Sequence, residues 1–174
     1  MIALLIFSVL TIGLYTAMVT IRSGIPYSIS ETYYRIENKK WFTFVMLFTA
    51  FTLLPCALEI STDDSRFLFF LSVVGITIVG VSPNFIKGEK FEVIAHYTGS
   101  VILLISSQMW VYFNTPILLF LWGLYLLIGI IMFFSLPYTE RIFDRVIRLK
   151  PIFWAEIIVV ITIYCAVFRY AYLL

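Results

Sequence analysis

The stretch Pro116–Leu136, PILLFLWGLYLLIGIIMFFSL, contains no Asp, Glu, Lys, Arg or His. A helix that crosses the hydrocarbon core of a bilayer needs about 20 consecutive, mainly apolar residues, and this stretch is long enough. The whole chain has a similar character, because 62% of its residues are hydrophobic and only 13% are charged, against about a quarter charged in soluble domains. The stretch therefore predicts a membrane-spanning helix in a chain made largely of such helices.

Five further apolar stretches extend this prediction to an all-α, polytopic transmembrane bundle of six helices. We expect a single integral membrane domain over residues 1–174. The first stretch lacks the basic n-region and the small-residue cleavage site of a signal peptide, so it is predicted to be an uncleaved signal anchor. The six predicted spans are Ile2–Ile21, Trp41–Ile60, Phe67–Ser82, Val93–Phe113, Pro116–Leu136 and Ile152–Tyr172.

Lysine and arginine are distributed unequally between the two sides of this bundle. Arg66 and Arg169 lie on one side, and the other ten of the 12 basic residues lie in the connections after spans one, three and five. Positively charged connections tend to stay in the cytoplasm, so both termini are predicted to lie on the outer side. We expect the chain in the inner (cytoplasmic) membrane of a bacterium.

The first connection, Ser23–Lys40, is the longest and includes the polar and aromatic segment IPYSISETYY, residues 25–34. Pro26 prevents a simple continuation of span one. Tyrosine rings suit the headgroup region of a bilayer, where the hydroxyl stays hydrated. An interfacial or shallow re-entrant segment is predicted here.

Two ionisable residues, His96 and Glu156, are predicted to lie inside the membrane near this same face. Each follows the start of its span by about one helical turn, which corresponds to a depth of roughly 5–8 Å. Ionisable groups in hydrocarbon usually face a bundle interior or a hydrated cavity. We therefore predict a polar ligand-binding pocket, formed by His96, Glu156, Ser28, Ser30, Glu31, Tyr34, Asn84 and Tyr97. A purely structural hydrogen-bonded pair of His96 and Glu156 is the alternative.

Small and polar residues recur at helical spacing in three of the predicted spans. Such stripes let membrane helices approach closely, so a packing role is the simplest explanation. The stripes are His96, Gly99, Ser100 and Ser107 in span four, Thr49, Thr52, Cys56 and Glu59 in span two, and Ser72, Gly75 and Val79 in span three.

The connection Pro137–Lys150, PYTERIFDRVIRLK, places apolar and basic residues at helical spacing. It predicts a short amphipathic helix on the inner leaflet, where each basic residue gains about 1 kcal/mol near anionic lipid. Ordinary positive-inside anchoring explains the same pattern. The predicted lipid-contact residues are Arg141, Arg145, Arg148 and Lys150.

The chain contains little of the chemistry that cofactors and catalysis require. One histidine and two cysteines, without H-E-x-x-H or C-x-x-C spacing, do not form an ordinary zinc site. No nucleotide-binding motif is present, and no block of like charge predicts a nucleic-acid partner. We expect no metal, no cofactor and no nucleic acid. An intramembrane hydrolase that uses a serine of the first connection with His96 and Glu31 or Glu156 is an open alternative.

The segments YSISETYY, residues 27–34, and HYTGS, residues 96–100, resemble those of small six-span membrane proteins of unassigned function from bacteria and phages. More distantly, the chain is similar to the DRAM and Sfk type of six-span protein, in which a serine-containing motif follows span one and a polar residue opens a later span. This resemblance implies a role in lipid handling or membrane organisation, carried by Ser30 and His96.

The preferred hypothesis is a non-catalytic membrane protein that binds a lipid headgroup or a small-molecule ligand in the polar pocket at the cytoplasmic face. Membrane lipids are its expected partners. A proton- or ion-coupled transporter or channel that uses Glu156 and His96 is the second hypothesis. A pore-forming membrane effector that assembles as a homo-oligomer is the third.

Overall fold

The computed structural model describes residues 2–136 and 141–173, and the secondary structure within these ranges is helical. The predicted all-α fold is confirmed for this part of the chain. A 3₁₀ turn, Pro116–Leu119, precedes α6. The α-helices are α1 (Ile2–Ser23), α2 (Thr32–Arg35), α3 (Lys40–Ile60), α4 (Asp63–Val81), α5 (Lys90–Asn114), α6 (Phe120–Ser135), α7 (Ile142–Arg148) and α8 (Pro151–Leu173).

Five stretches of the described chain are long and apolar enough to cross a membrane, which indicates an integral membrane protein. The predicted fourth span lies in α5, which is not one of the five because polar residues such as His96 and Gln108 lower its hydropathy. Six crossings and the sides of the termini therefore stay predictions. The five stretches are Ile2–Ser23, Lys40–Ile60, Asp63–Val81, Pro116–Ser135 and Ile142–Arg169, the last of which combines α7 with most of α8.

The closest helix pair is formed by α4 and α5, whose backbones touch where Gly75 faces Gly99. A Cβ atom on Gly75 would lie 2.6 Å from the backbone nitrogen of Leu103 and 2.8 Å from the carbonyl oxygen of Gly99. Only glycine allows this approach, as in other small-residue crossings of membrane helices. One turn away, the hydroxyls of Ser72 and Ser106 are hydrogen-bonded at 2.9 Å. The predicted stripes of spans three and four thus pack against each other.

One end of the bundle is called the linker end, because the linker, residues 24–39 between α1 and α3, lies there. Helices α1 and α4 end at this face, and α3, α5 and α8 begin at it. At the opposite end, Trp110 donates to the Ser61 hydroxyl at 2.7 Å, and Asn114 donates to the Ser65 hydroxyl at 3.0 Å. These bonds hold the α3–α4 turn against the end of α5.

Helix α6 lies at the periphery, with no buried residue along its length. Two of its side chains donate hydrogen bonds to its neighbours. The Trp122 indole donates to Gln108 of α5 at 2.9 Å, and the Tyr125 hydroxyl donates to the Pro151 carbonyl oxygen at 2.8 Å. Helix α6, which contains most of the apolar stretch Pro116–Leu136, therefore faces outward on most of its surface.

The predicted lipid-contact residues divide into two groups. Arg141, directly before α7, and Arg148, at its end, are exposed, and so are Ile142 and Phe143 of α7, as a helix lying on a leaflet requires. Arg145 is instead 4% exposed and donates to the carbonyl oxygens of Phe133 and Leu136. The prediction of lipid contact is corrected for Arg145, because the last carbonyls of α6 lack helical partners and attract a cation.

Lys150 adopts the left-handed backbone conformation, with φ at 52°, in the short connection between α7 and α8. Its ammonium lies 5.9 Å from the centre of the Tyr27 ring in the linker. Lys150 thus lies at the linker end. Residues 137–140, with which the predicted amphipathic segment begins, are outside the described residues.

Candidate functional site

A cavity of about 360 Å³ lies inside the bundle, between the linker and helices α1, α3, α4, α5 and α8. Its walls are formed mainly by aliphatic side chains. The buried ones among them include Ile12, Met46, Leu53, Val73, Val79, Val159 and Ile163. A pocket of this size, mostly apolar with few polar groups, is typical of small-ligand sites.

The cavity is elongated along the helix axes. Its lining on α8 extends from Ile152, near the linker end, to Tyr164. At 1.5 Å per residue this distance is about 18 Å. At the far end, the Tyr164 hydroxyl is hydrogen-bonded to Ser8 at 2.6 Å, so its polar atom has a partner in the protein.

Glu156 is the one charged side chain among the described residues that line the cavity. It is half-buried, and its carboxylate accepts a hydrogen bond from the Ile29 backbone N–H. Within residues 2–136 and 141–173, no basic side chain pairs with it. A lone carboxylate at the linker end of an apolar cavity is the chemical feature that distinguishes this site from ordinary core packing.

The linker presents the Ile29 N–H because of its own folding. The N–H groups of Glu31 and Thr32 bond back to the carbonyl oxygens of Ser28 and Ile29, which starts the turn that leads into α2. The first N–H groups of such a turn lack intrahelical partners. Glu156 of α8 accepts from one of them, and this bond fastens the linker beneath the cavity.

Most of the predicted linker residues have structural partners. The Ser28 hydroxyl accepts from the Glu31 N–H at 3.1 Å. The Glu31 carboxylate pairs with Arg35 at 2.9 Å, and Arg35 also donates to the carbonyl oxygens of Ser23 and Gly24. Ser30 alone of these lines the cavity, and it is buried. The linker is therefore a hydrogen-bonded floor rather than a ring of free ligand-binding groups.

His96 does not line this cavity. Its Nδ1 lies 2.7 Å from the Ser82 carbonyl oxygen at the end of α4, and its ring stacks on Phe85 with 4.4 Å between ring centres. A carbonyl oxygen only accepts, so Nδ1 carries the proton in this bond. The predicted pairing of His96 with Glu156 is absent from the described structure. The imidazole is bonded instead to the Ser82 carbonyl oxygen, which has no helical partner at the end of α4.

Tyr34 and Asn84 belong to the same second cluster as His96. The Tyr34 hydroxyl donates to Asn84 Oδ1 at 3.1 Å and accepts from the Ile86 N–H at 2.7 Å. Its ring lies edge-on to Phe85, 5.5 Å between centres. The linker is thus tied to the α4–α5 connection, and the residues of the predicted polar pocket divide between the cavity and this second cluster, with Tyr97 in contact with both.

Tyr97 and Ser100 of α5, unlike His96, lie beside the cavity. Both line the cavity, Tyr97 from an exposed position and Ser100 with its hydroxyl bonded to the His96 carbonyl oxygen at 2.9 Å. The sequence reasoning missed the apolar walls, because an aliphatic residue beside a cavity has the same helical spacing as one in a packed core.

No family model, curated protein or solved structure matches this chain. The resemblance of YSISETYY and HYTGS to six-span proteins stays a prediction.

Proposed function

We propose that this protein binds an amphiphilic molecule of the membrane, with the apolar part in the 360 Å³ cavity and the polar head at Glu156. The proposal includes six membrane crossings, with the linker end in the cytoplasmic leaflet of a bacterial inner membrane. The lone carboxylate at one end of an elongated apolar cavity is the observation that carries it. The protein is proposed to be a binding protein rather than an enzyme.

The chemistry of the walls favours an apolar occupant. A sugar, a nucleotide or a hydrated ion would lose its water without gaining hydrogen bonds along walls such as Val159 and Ile163. A hydrocarbon chain loses nothing there and gains close contacts. The sequence predicted a pocket for a headgroup. The proposed site instead holds the hydrocarbon chain of the ligand, and the head of the ligand makes a single polar contact.

Two other functions are less well supported. Proton or ion transport requires polar groups across the whole bundle, whereas the lining residues of α8 between Glu156 and Tyr164, which are Val159, Val160 and Ile163, are aliphatic. A hydrolase requires a base near a nucleophile, but His96 is bonded to the Ser82 carbonyl oxygen and stacked on Phe85, and it does not line the cavity that Ser30 lines.

Native mass spectrometry of the protein, purified in a mild detergent, tests the proposal. Val159 is buried and lines the cavity, so Val159→Phe should fill it and lower the amount of co-purifying amphiphile at least fivefold. Val81→Phe is the matched control, because Val81 is exposed and does not line the cavity. Equal retention of amphiphile by both variants would refute the proposed site.

A further inference from the structure

We infer that the cavity takes an amphiphile with a cationic amine head, and that this molecule moves in sideways from the bilayer between α5 and α8 at the linker end. The inference deepens the proposed function and rests on it. It concerns the chemical class of the ligand and the route by which it reaches Glu156.

Exposed residues line the cavity on the side of α5 and the start of α8. On α5, the lining residues Tyr97, Val101 and Leu104 are 56%, 54% and 42% exposed, and Ile152 at the start of α8 is 44% exposed. The lining residues of α3 are buried, and so are most of those of α4, such as Val79 at 4% exposure. Residues that face both the cavity and the outside of the bundle mark a lateral opening.

The two helices are joined farther along their length, which defines the limit of this opening. Gln108 of α5 donates to the Thr162 hydroxyl of α8 at 3.2 Å. Tyr97 precedes Gln108 by about 16 Å along the helix. In the part of the chain that the structure describes, no hydrogen bond joins α5 to α8 between Tyr97 and Gln108 on the α5 side. The gap therefore faces the hydrocarbon close to the linker end.

The carboxylate lies level with this gap. Val101 follows Tyr97 by one turn and Glu156 follows Ile152 by one turn, so an amphiphile that moves in between the helices meets Glu156 with its head. Only the Ile29 N–H donates to this carboxylate among the described groups, which leaves one oxygen to accept from a ligand. With no basic residue in the described lining, charge complementarity favours an amine and disfavours a carboxylate.

The length of the cavity favours an extended hydrocarbon chain. Its lining on α8 runs for about 18 Å, from Ile152 to Tyr164, and its walls are mainly aliphatic. The chain would extend from Glu156 toward Tyr164.

The test uses the full chain in liposomes and a hexadecylamine that carries a photoreactive diazirine near its chain end. Light is applied at set times after mixing, and adducts on cavity residues are located by mass spectrometry. We expect labelling of α8 near Tyr164. The matching diazirine-bearing hexadecanoic acid should label these residues at least tenfold less, and Glu156→Gln should remove most of this discrimination.

The route is tested by closing the gap. In a Cys165→Ser background, Val101→Cys and Ala155→Cys are joined across the gap by a short cleavable linker, which should slow labelling at least tenfold until it is cut. Gln108→Cys and Thr162→Cys, joined where the helices already meet, form the control pair and should not slow it. If the first pair does not join, the bulky variant Val101→Trp should slow labelling in the same way.

The outcomes separate the two proposals. Absence of cavity labelling by both the amine and the acid would overturn the proposed function itself. Cavity labelling that is equally fast with the gap closed and open would overturn the lateral route and leave the binding function intact. Equal labelling by amine and acid in the unmodified protein would overturn the cationic head group.

Discussion

Replacing Gly75 by alanine tests the backbone contact between α4 and α5. The new Cβ would lie 2.6 Å from the Leu103 nitrogen, whereas ordinary contacts begin at 3.4 Å, so the helices must separate by about 0.8 Å. The same movement would lengthen the 2.9 Å bond between Ser72 and Ser106 beyond the 3.5 Å limit for a hydrogen bond.

The expected free-energy change has three parts. Overpacking of a close contact costs about 1–3 kcal/mol, and the loss of a hydrogen bond between membrane helices costs about 0.6 kcal/mol. Alanine recovers up to about 1 kcal/mol of helix propensity relative to glycine. With full recovery, Gly75→Ala should therefore lower the free energy of unfolding by about 0.6–2.6 kcal/mol.

Reversible unfolding in mixed detergent and dodecyl sulfate micelles, followed by circular dichroism, gives this free energy. Gly13→Ala is the matched control, because a Cβ on Gly13 of α1 meets no atom within 4 Å. It should be neutral or stabilising by a few tenths of a kcal/mol. If Gly75→Ala unfolds at the same denaturant fraction as Gly13→Ala, the close crossing of α4 and α5 is wrong.

Three further substitutions test single contacts at the linker end and at α6. Glu156→Leu should leave the Ile29 N–H without its acceptor and raise its hydrogen-exchange rate at least tenfold, whereas Glu156→Gln, which keeps an acceptor, should change it little. His96→Leu should lower the free energy of unfolding by about 1–3 kcal/mol, because the carbonyl at the end of α4 loses its donor. Amphiphile binding should be unchanged in this variant, which would distinguish a structural role of His96 from a ligand-binding one. Arg145→Met should make the end of α6 more susceptible to protease, whereas the exposed Arg141→Met should not.

His96 and Glu156, the two ionisable residues of the predicted pocket, lie at one end of the bundle as the sequence predicts, but they do not pair. Their common face followed from counting crossings, and the structure places both at the linker end, each bonded to a segment of that end. Their pairing did not follow, because each polar atom binds the nearest unsatisfied backbone group. His96 binds the Ser82 carbonyl oxygen at the end of α4, and Glu156 binds the Ile29 N–H in the linker.

The small-residue stripes illustrate the same division. Helical spacing placed Gly99 and Ser107 on one face of α5, and both are buried there. Spacing does not state which helix covers a face, and the contact between Gly75 and Gly99 became visible only in the folded bundle. Likewise, Arg145 has the sequence pattern of a residue that faces the leaflet. Its side chain is instead buried, because α7 lies near the end of α6 and Arg145 donates to the carbonyl oxygens of Phe133 and Leu136.

By itself, the sequence determined that this is a helical membrane protein, because hydrophobicity and helical spacing are properties of neighbours along the chain. The tertiary structure alone decided that five helices and a linker leave a cavity with the Glu156 carboxylate near one end. A cavity is a mismatch between the shapes of surfaces that are distant in sequence, and no local pattern of residues encodes that mismatch.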